Sequence, residues 1–321
     1  MKKELRAAVV GVGHMGRYHA NVYYELPGVE LVAVVDLSEE QGKKVAEQYD
    51  AVYYKKYEDI YDKVDLVTIA VPTSKHYLVA KEFLGRGISV LLEKPVTNDL
   101  SEARELFAIA AKNKAVLHIG QIERFNGAVQ ELKNVVTEPI MIECRRLGPF
   151  NPRINDVGVV MDLMIHDIDI VLNLVDSKVR RINALGISIF TKNEDLANVQ
   201  LQFENGCIAN LMASRVTQHK KRTLTVTQQD KYVVLDYTNQ NIFIHRQASS
   251  EHFLTKEQLR YTQESFTEQI FVHKDNPLKL EIKHFIECAS NGGKRSVSVE
   301  KELYSLQIAL EVMSELEKNI D

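Results

Sequence analysis

An apolar run over residues 5–10 ends in a glycine-spaced turn, Gly11-Val12-Gly13-His14-Met15-Gly16, and a helix-like stretch over residues 15–25 follows it. A second apolar run, residues 30–36, closes on Asp36, twenty residues after Gly16. This order of strand, G-x-G-x-x-G, helix, strand and acid constrains the fold more than any other feature of the chain. It is the fingerprint of a dinucleotide-binding βαβ unit. Gly11 permits the tight turn, Gly13 lets the backbone approach a pyrophosphate, and Gly16 lets the helix lie close to the sheet. The helix start, with His14 and Met15, offers unpaired N–H groups and a partial positive charge to phosphates. Asp36 would accept hydrogen bonds from the adenosine ribose hydroxyls and repel a 2′-phosphate. Leu37 and Ser38 supply no arginine for such a phosphate, so NAD is expected, with NADP as the alternative.

The pattern continues through residue 121. Short apolar runs at 66–71, 89–93 and 116–121 alternate with helical stretches at 39–49, 75–87 and 101–113. Near-continuous apolar runs suit strands covered on both faces, and the alternation predicts a parallel sheet wound on both sides. Ser38 before Glu39 and Glu40 is a sound cap for the second helix.

After residue 121 the pattern changes. Helices are expected at 128–136 and 158–175, and a strand at 140–147. Strands then follow at 179–190, 198–203, 207–214, 222–227, 232–237 and 241–245, with helices at 278–290 and 300–318 closing the chain. Consecutive strands with short turns predict a mostly antiparallel sheet. The fold class is therefore α/β, in two parts. Residues 1–121 form a Rossmann domain with a parallel sheet. Residues 122–321 form an α/β domain with a large, mostly antiparallel sheet. No flexible linker separates them, which predicts a fixed interface and a cleft.

Composition narrows the function. Hydrophobic residues make up 45% and charged residues 26% of the 321, the usual range for a globular chain. The formal net charge is −4 and there is no long Lys/Arg block, so nucleic acid is not an expected partner. No apolar run approaches the ~18 residues of a membrane span, so no membrane partner is expected. The two lysines near the start precede an apolar stretch too short for a secretion signal. The three cysteines, Cys144, Cys207 and Cys288, lie far apart and form no metal-ligand or disulfide pattern, which points to a reduced cytoplasmic protein.

Reactive side chains are expected where an α/β sheet places ligands, at the carboxyl ends of its strands. Pro72-Thr73-Ser74-Lys75-His76 follows one strand and Glu93-Lys94-Pro95 another. Lys94 could orient a reacting hydroxyl and share in proton transfer, or be a solvated surface lysine. His76 could belong to the cofactor site or cap a helix. In the second part, Asp162 and His166 are spaced i, i+4 within the apolar stretch VVMDLMIHDIDIVLNLV. On one helix face the carboxylate could orient the imidazole as a base, or the two could be a satisfied core pair. A metal set of Asp162, His166 and Asp169 lacks further ligands nearby, so no metal is expected.

Together these residues resemble the glucose–fructose oxidoreductase / inositol dehydrogenase / MocA (Gfo/Idh/MocA) family over nearly the whole chain. The resemblance rests on Gly11, Gly13, Gly16 and His19 of G-x-G-x-x-G-x-x-H, Pro72 to His76, Glu93-Lys94-Pro95, and Asp162 to His166. Ser74 stands where the family often has Asn. The resemblance implies NAD(P)-linked oxidation or reduction at a secondary hydroxyl of a sugar, cyclitol or nucleotide sugar. It also implies an open sheet in the second domain that assembles homodimers or homotetramers. Lys94 and His166 would be catalytic, with Asp162 on the substrate side of the same helix. Pro72, Thr73, His76, Glu93, Lys94 and Gln121 would line the cofactor. Gly120-Gln121-Ile122-Glu123-Arg124-Phe125-Asn126 resembles a segment of the branch acting on nucleotide sugars such as UDP-N-acetylglucosamine. Glu123, Arg124 and Asn126 are therefore expected at the substrate, and Arg153, with Arg145 and Arg146, is a candidate for binding its diphosphate. An inositol or free-sugar dehydrogenase, or a non-catalytic NAD sensor, remain the alternatives.

Overall fold

The computed structural model describes residues 4–152, 157–255 and 258–318. The first sheet holds β1 (Leu5–Val10), β2 (Val29–Val35), β3 (Val52–Tyr54), β4 (Leu66–Ile69), β5 (Ser89–Glu93) and β6 (Leu117–Gly120). Its strand order is β3-β2-β1-β4-β5-β6, and every pairing is parallel. Helices α1 (His14–Glu25), α2 (Glu39–Gln48), α3 (Thr73–Gly85) and α4 (Leu100–Lys112) connect the strands. The winding reverses between β1 and β4, the switch point at which such sheets take ligands. Register brings the carboxyl ends level there: Val10 pairs with Val35 and Ile69, Ile69 with Leu92, and Glu93 with Gly120.

This is the expected Rossmann arrangement with one strand added. At three residues, β3 is too short to leave a period in the sequence. Ser38 caps α2 as expected, its hydroxyl accepting from the Gln41 N–H. Asp99 caps α4 by accepting from the Ser101 and Glu102 N–H groups.

The second sheet contains β7 (Met141–Leu147), β8 (Val179–Ile187), β9 (Leu196–Phe203), β10 (Ile208–Ser214), β11 (Lys221–Thr227), β12 (Tyr232–Asp236), β13 (Asn241–Thr255) and β14 (Gln258–Ile270). Its order is β14-β13-β12-β11-β7-β10-β9-β8. All pairs are antiparallel except β7 with β10, so the sheet is mixed but mostly antiparallel. Helices α5 (Gly127–Val135) and α6 (Ile165–Leu174) precede most of it, and α7 (Pro277–Asn291) and α8 (Val299–Lys318) follow.

Three expectations need correction. The strand expected to stop at residue 245 runs to Thr255 and returns as β14, which the sequence reading missed. Polar residues dominate that stretch, so backbone pairing rather than an apolar alternation defines it. The helix expected over 158–175 opens as a π turn, Val160–Met164, before α6. The chain also divides into two compact units differently from a single cut at 121/122. One unit comprises Met1–Phe125 with Asn276–Gln307, the other Asn126–Asp275 with Ile308–Asp321. Leu278, Ile282 and Phe285 of α7 join Val9, Tyr23, Leu66 and Leu91 in the first unit's core. An amphipathic helix carries an apolar face in its sequence, but not the identity of the core that takes it.

Candidate active site

The turn between β1 and α1 meets the requirements of a pyrophosphate cradle. Gly11 has φ +86°, and a Cβ there would lie 2.7 Å from the Ala70 carbonyl oxygen. A Cβ on Gly16 would overlap the Gly11 carbonyl, so α1 could not approach the turn with any other residue. At Gly13 a Cβ would meet nothing within 4 Å: the space beside this exposed backbone is open. Gly13 is also the N-cap of α1 and provides no side-chain cap, which leaves the first N–H groups of a 12-residue helix to an outside anion. His14 is exposed with its ring edge-on to Tyr18, and Met15 is half-buried. Asp36 is fixed by two backbone donors, Val12 N–H to Oδ2 and Ser38 N–H to Oδ1, each at 2.8 Å. Each oxygen has remaining lone pairs for a ribose hydroxyl. The residues present therefore fit a dinucleotide.

The reactive lysine loop is built on a buried pair. His19 on α1 places Nε2 2.8 Å from Glu93 Oε1, at the end of β5. Burial pushes the Glu93 carboxyl up, but the His19 bond and the His19 and Lys94 charges outweigh it and hold it below the usual range. The Lys94 N–H donates to the other Glu93 oxygen at 3.3 Å. A Cβ on Gly120 would sit 3.3 Å from that oxygen, so glycine there makes room for the carboxylate. Lys94 is half-buried just beyond β5, and Gln121 is buried just beyond the neighbouring β6. Sequence reasoning took His19 and Gly120 only as parts of family patterns. The signal for Gly120 was its place at the end of β6, level with Glu93.

Pro72 is the exposed N-cap of α3 and Thr73 its half-buried first residue. His76 lies between two backbone carbonyls. Its Nδ1 lies 2.8 Å from the Pro95 carbonyl and its Nε2 2.9 Å from that of Val71. The ring is buried between the loop after β4 and the loop after β5, and the single N–H of a neutral ring can donate to one of these carbonyls at a time. Burial outweighs the carbonyl contacts and lowers its pKa, favouring neutral imidazole.

The expected substrate residues separate into three groups. Arg124 makes a two-point ion pair with Glu302, at 2.5 and 2.9 Å, with both side chains nearly buried. Asn126 is the N-cap of α5: Oδ1 accepts from the Ala128 N–H and Nδ2 donates to the Tyr237 carbonyl. Arg146 forks onto Asp167 at 2.8 and 3.0 Å inside the second unit. All three side chains have protein partners, and Arg146 also lines a cavity of the second unit. A guanidinium forked onto a carboxylate commits two of its five donors there. Arg145 alternates to the opposite, exposed face of β7, where it lines a shallow recess with Glu143 and Lys221. Arg153 lies outside the described residues. Glu123 is half-buried beside Arg124.

Asp162 lies half-buried in the π turn, whereas His166, in the first turn of α6, is only 9% exposed. On this stretch Asp167 is buried in an ion pair with Arg146. The turn is held from outside: the Val160 N–H donates to Glu194 Oε1, and Glu194 fills the space a Cβ on Gly158 would need. Asp162 lines a cavity of about 430 Å³ with Phe150, Ser214, Arg215, Lys220 and Arg222 among its other walls; His166 is not among them. Arg215 is paired there with Asp195 at 2.6 Å. Lys220 and Arg222, which sequence reasoning did not single out, put further positive charge on that wall. Among the described residues no helix is long and apolar enough to cross a membrane.

Comparison with known proteins agrees with this geometry. Residues 5–121 match the model of an oxidoreductase family with an NAD-binding Rossmann fold, and residues 127–234 match a Gfo/Idh/MocA C-terminal domain. A UDP-N-acetylglucosamine 3-dehydrogenase of Acidithiobacillus ferrooxidans is 36% identical over 76% of this chain and 78% of its own. A solved structure of that enzyme superposes with a TM-score of 0.88 and 31% identity, over 99% of both chains. A scyllo-inositol 2-dehydrogenase (NAD(+)) of Bacillus subtilis is 24% identical over 91% of this chain and 88% of its own. With both domain models matched and a relative 36% identical over 76% of the chain, the chain belongs to the Gfo/Idh/MocA family of oxidoreductases.

Proposed function

We propose that the protein is a dehydrogenase that oxidises a secondary hydroxyl of a sugar with NAD as hydride acceptor. Its substrate is a nucleotide sugar such as UDP-N-acetylglucosamine, with the 3-hydroxyl converted to a ketone. The observation that carries this reading is the placement of Lys94 and Gln121 beyond the adjacent, level ends of β5 and β6, in the sheet whose glycine turn is shaped for a dinucleotide. Asp36, fixed at the ribose position with no arginine after it, supports NAD over NADP.

When bound, the nicotinamide supplies the acceptor for a hydride from the carbinol carbon. Lys94 hydrogen-bonds the alcohol oxygen and stabilises the charge that develops there. His166 takes the hydroxyl proton as general base. Asp162 holds a sugar hydroxyl. The cavity wall that carries Lys220 and Arg222, with the ion-paired Arg146 and Arg215 beside them, suits a diphosphate. Leu185 and Ile187, exposed on the outermost strand β8, fit assembly into a homodimer or homotetramer. Three buried free cysteines fit a reducing, cytoplasmic setting.

An inositol dehydrogenase is the second reading, favoured by the related inositol enzymes at 24–30% identity. A panel of UDP-sugars, inositols and free hexoses, followed by NADH absorbance, separates the two. UDP-N-acetylglucosamine is expected to give the highest kcat/KM. Preference for an inositol would select the second reading, and NAD binding without turnover of any substrate would select a sensor.

A further inference from the structure

Glu281, on α7, is fully buried, and among the described residues it is the acid whose two carboxyl oxygens both lack a hydrogen-bond partner. Its neighbours in sequence and in the core are apolar: Leu278, Ile282 and Phe285. The ionisable groups facing it are Glu93 from β5, Arg124 from the turn after β6, Glu302 from α8 and Tyr23 from α1. None of them is placed to neutralise it. Arg124 is committed to Glu302, Tyr23 hydrogen-bonds Thr68, and Glu93 carries a like charge held by His19. A carboxylate without a partner in such a place is costly, and the nearby Glu93 charge adds to the cost. Burial, reinforced by Glu93, pushes the Glu281 carboxyl well above the usual range. His19 Nδ1 is likewise buried without a partner.

We infer that Glu281 holds its proton in the folded protein and is a positioning residue for the reactive loop, leaving the negative charge on Glu93 alone, opposite His19 and Lys94. The link to the loop rests on the role proposed for Lys94; the protonated state does not. Ionising Glu281 would set a second negative charge against Glu93 and loosen the contact that fixes the end of β5.

The sign follows from linkage. A carboxyl that stays protonated in the fold but ionises when unfolded lowers stability as pH rises above its unfolded value. The neutral isostere Glu281→Gln removes that loss. Wild type and E281Q are therefore expected to have similar pH dependence below about pH 4 and to diverge above it, with E281Q gaining up to about tenfold in the folding equilibrium per pH unit. Difference infrared spectroscopy should show the carbonyl stretch of a protonated carboxyl in wild type near neutral pH, absent from E281Q. Over the alkaline range in which that band fades, NADH fluorescence titration should show wild type losing affinity while E281Q keeps it. Stability curves that stay parallel across pH, or no protonated band, would overturn the protonated state. Equal alkaline loss of NADH affinity in both proteins would overturn the positioning role. If E281Q does not fold, loss of the band in Glu281→Met decides the protonated state. A wild-type NADH affinity that holds steady as that band fades would then overturn the positioning role. None of these readouts needs the sugar substrate, so failure of the Lys94 reading would appear separately, as unimpaired turnover in a Lys94 variant.

Discussion

The turn between β1 and α1 and the arginine-bearing segments around residues 124 and 146 are both rich in groups suited to phosphate. In the turn, the sequence pattern and the structure agree residue by residue. Gly11 and Gly16 are required by backbone contacts, and Gly13 and the uncapped helix start face open space. In the arginine segments the same chemistry is directed inward, Arg124 onto Glu302 and Arg146 onto Asp167. A backbone cradle is specified by local geometry that only certain residues permit. A guanidinium suits a buried carboxylate as well as a bound phosphate, and only tertiary partners decide between them.

Substitutions can break this contrast. The largest effect is expected at the reacting groups: Lys94→Ala and His166→Ala should each cost about 10²- to 10⁴-fold in kcat while NADH binding is retained. Near-wild-type turnover in both, measured by NADH absorbance, would remove them from the chemistry. Next come the inward arginines. Arg146→Ala leaves Asp167 buried and unpaired and should lose about 3–5 kcal/mol of unfolding free energy in denaturant titrations. Arg124→Ala should lose somewhat less, because Arg295 also approaches Glu302, at 3.6 Å. An effect confined to substrate KM would restore these arginines to the substrate site.

Asp36→Ala should weaken NAD binding about ten- to a hundredfold, the worth of hydrogen bonds to a charged group, and narrow discrimination against NADP. Unchanged Michaelis constants for both cofactors would count against the ribose role. Gly13→Ala sharpens the comparison, since no protein atom opposes the new methyl. Its melting temperature should barely move while cofactor affinity falls, whereas Gly16→Ala should damage both. The smallest effect belongs to Arg145→Ala on the exposed strand face: within about 0.5 kcal/mol in stability, and no change in substrate KM.

Much of the first unit was legible because its strands are buried on both faces and its turn demands glycine. The lysine loop was legible from Glu93-Lys94-Pro95 beyond a strand. What the sequence did not disclose depends on distant partners. His76 reads as a site histidine until the Val71 and Pro95 carbonyls are seen on either side of its ring. Asn126 looks like a sugar ligand until it is found capping α5. Asp162 and Asp167 are indistinguishable in the stretch MDLMIHDID, yet one lines a cavity and the other is sealed by Arg146. The helix α7 shows no local sign that it returns to the first unit, carrying Glu281 with it. Lys220 and Arg222 stand in a polar run with no motif, and only the start of β11 and the residue before it bring them to the cavity wall.

The central claim is hydride transfer from a sugar carbinol carbon to NAD. Incubating the protein with NAD and UDP-N-acetylglucosamine deuterated at C3 tests it most directly. The predicted result is reduced cofactor carrying deuterium, with a 3-keto sugar as product. Reduced cofactor without deuterium, or none formed while NAD binds normally, would contradict it.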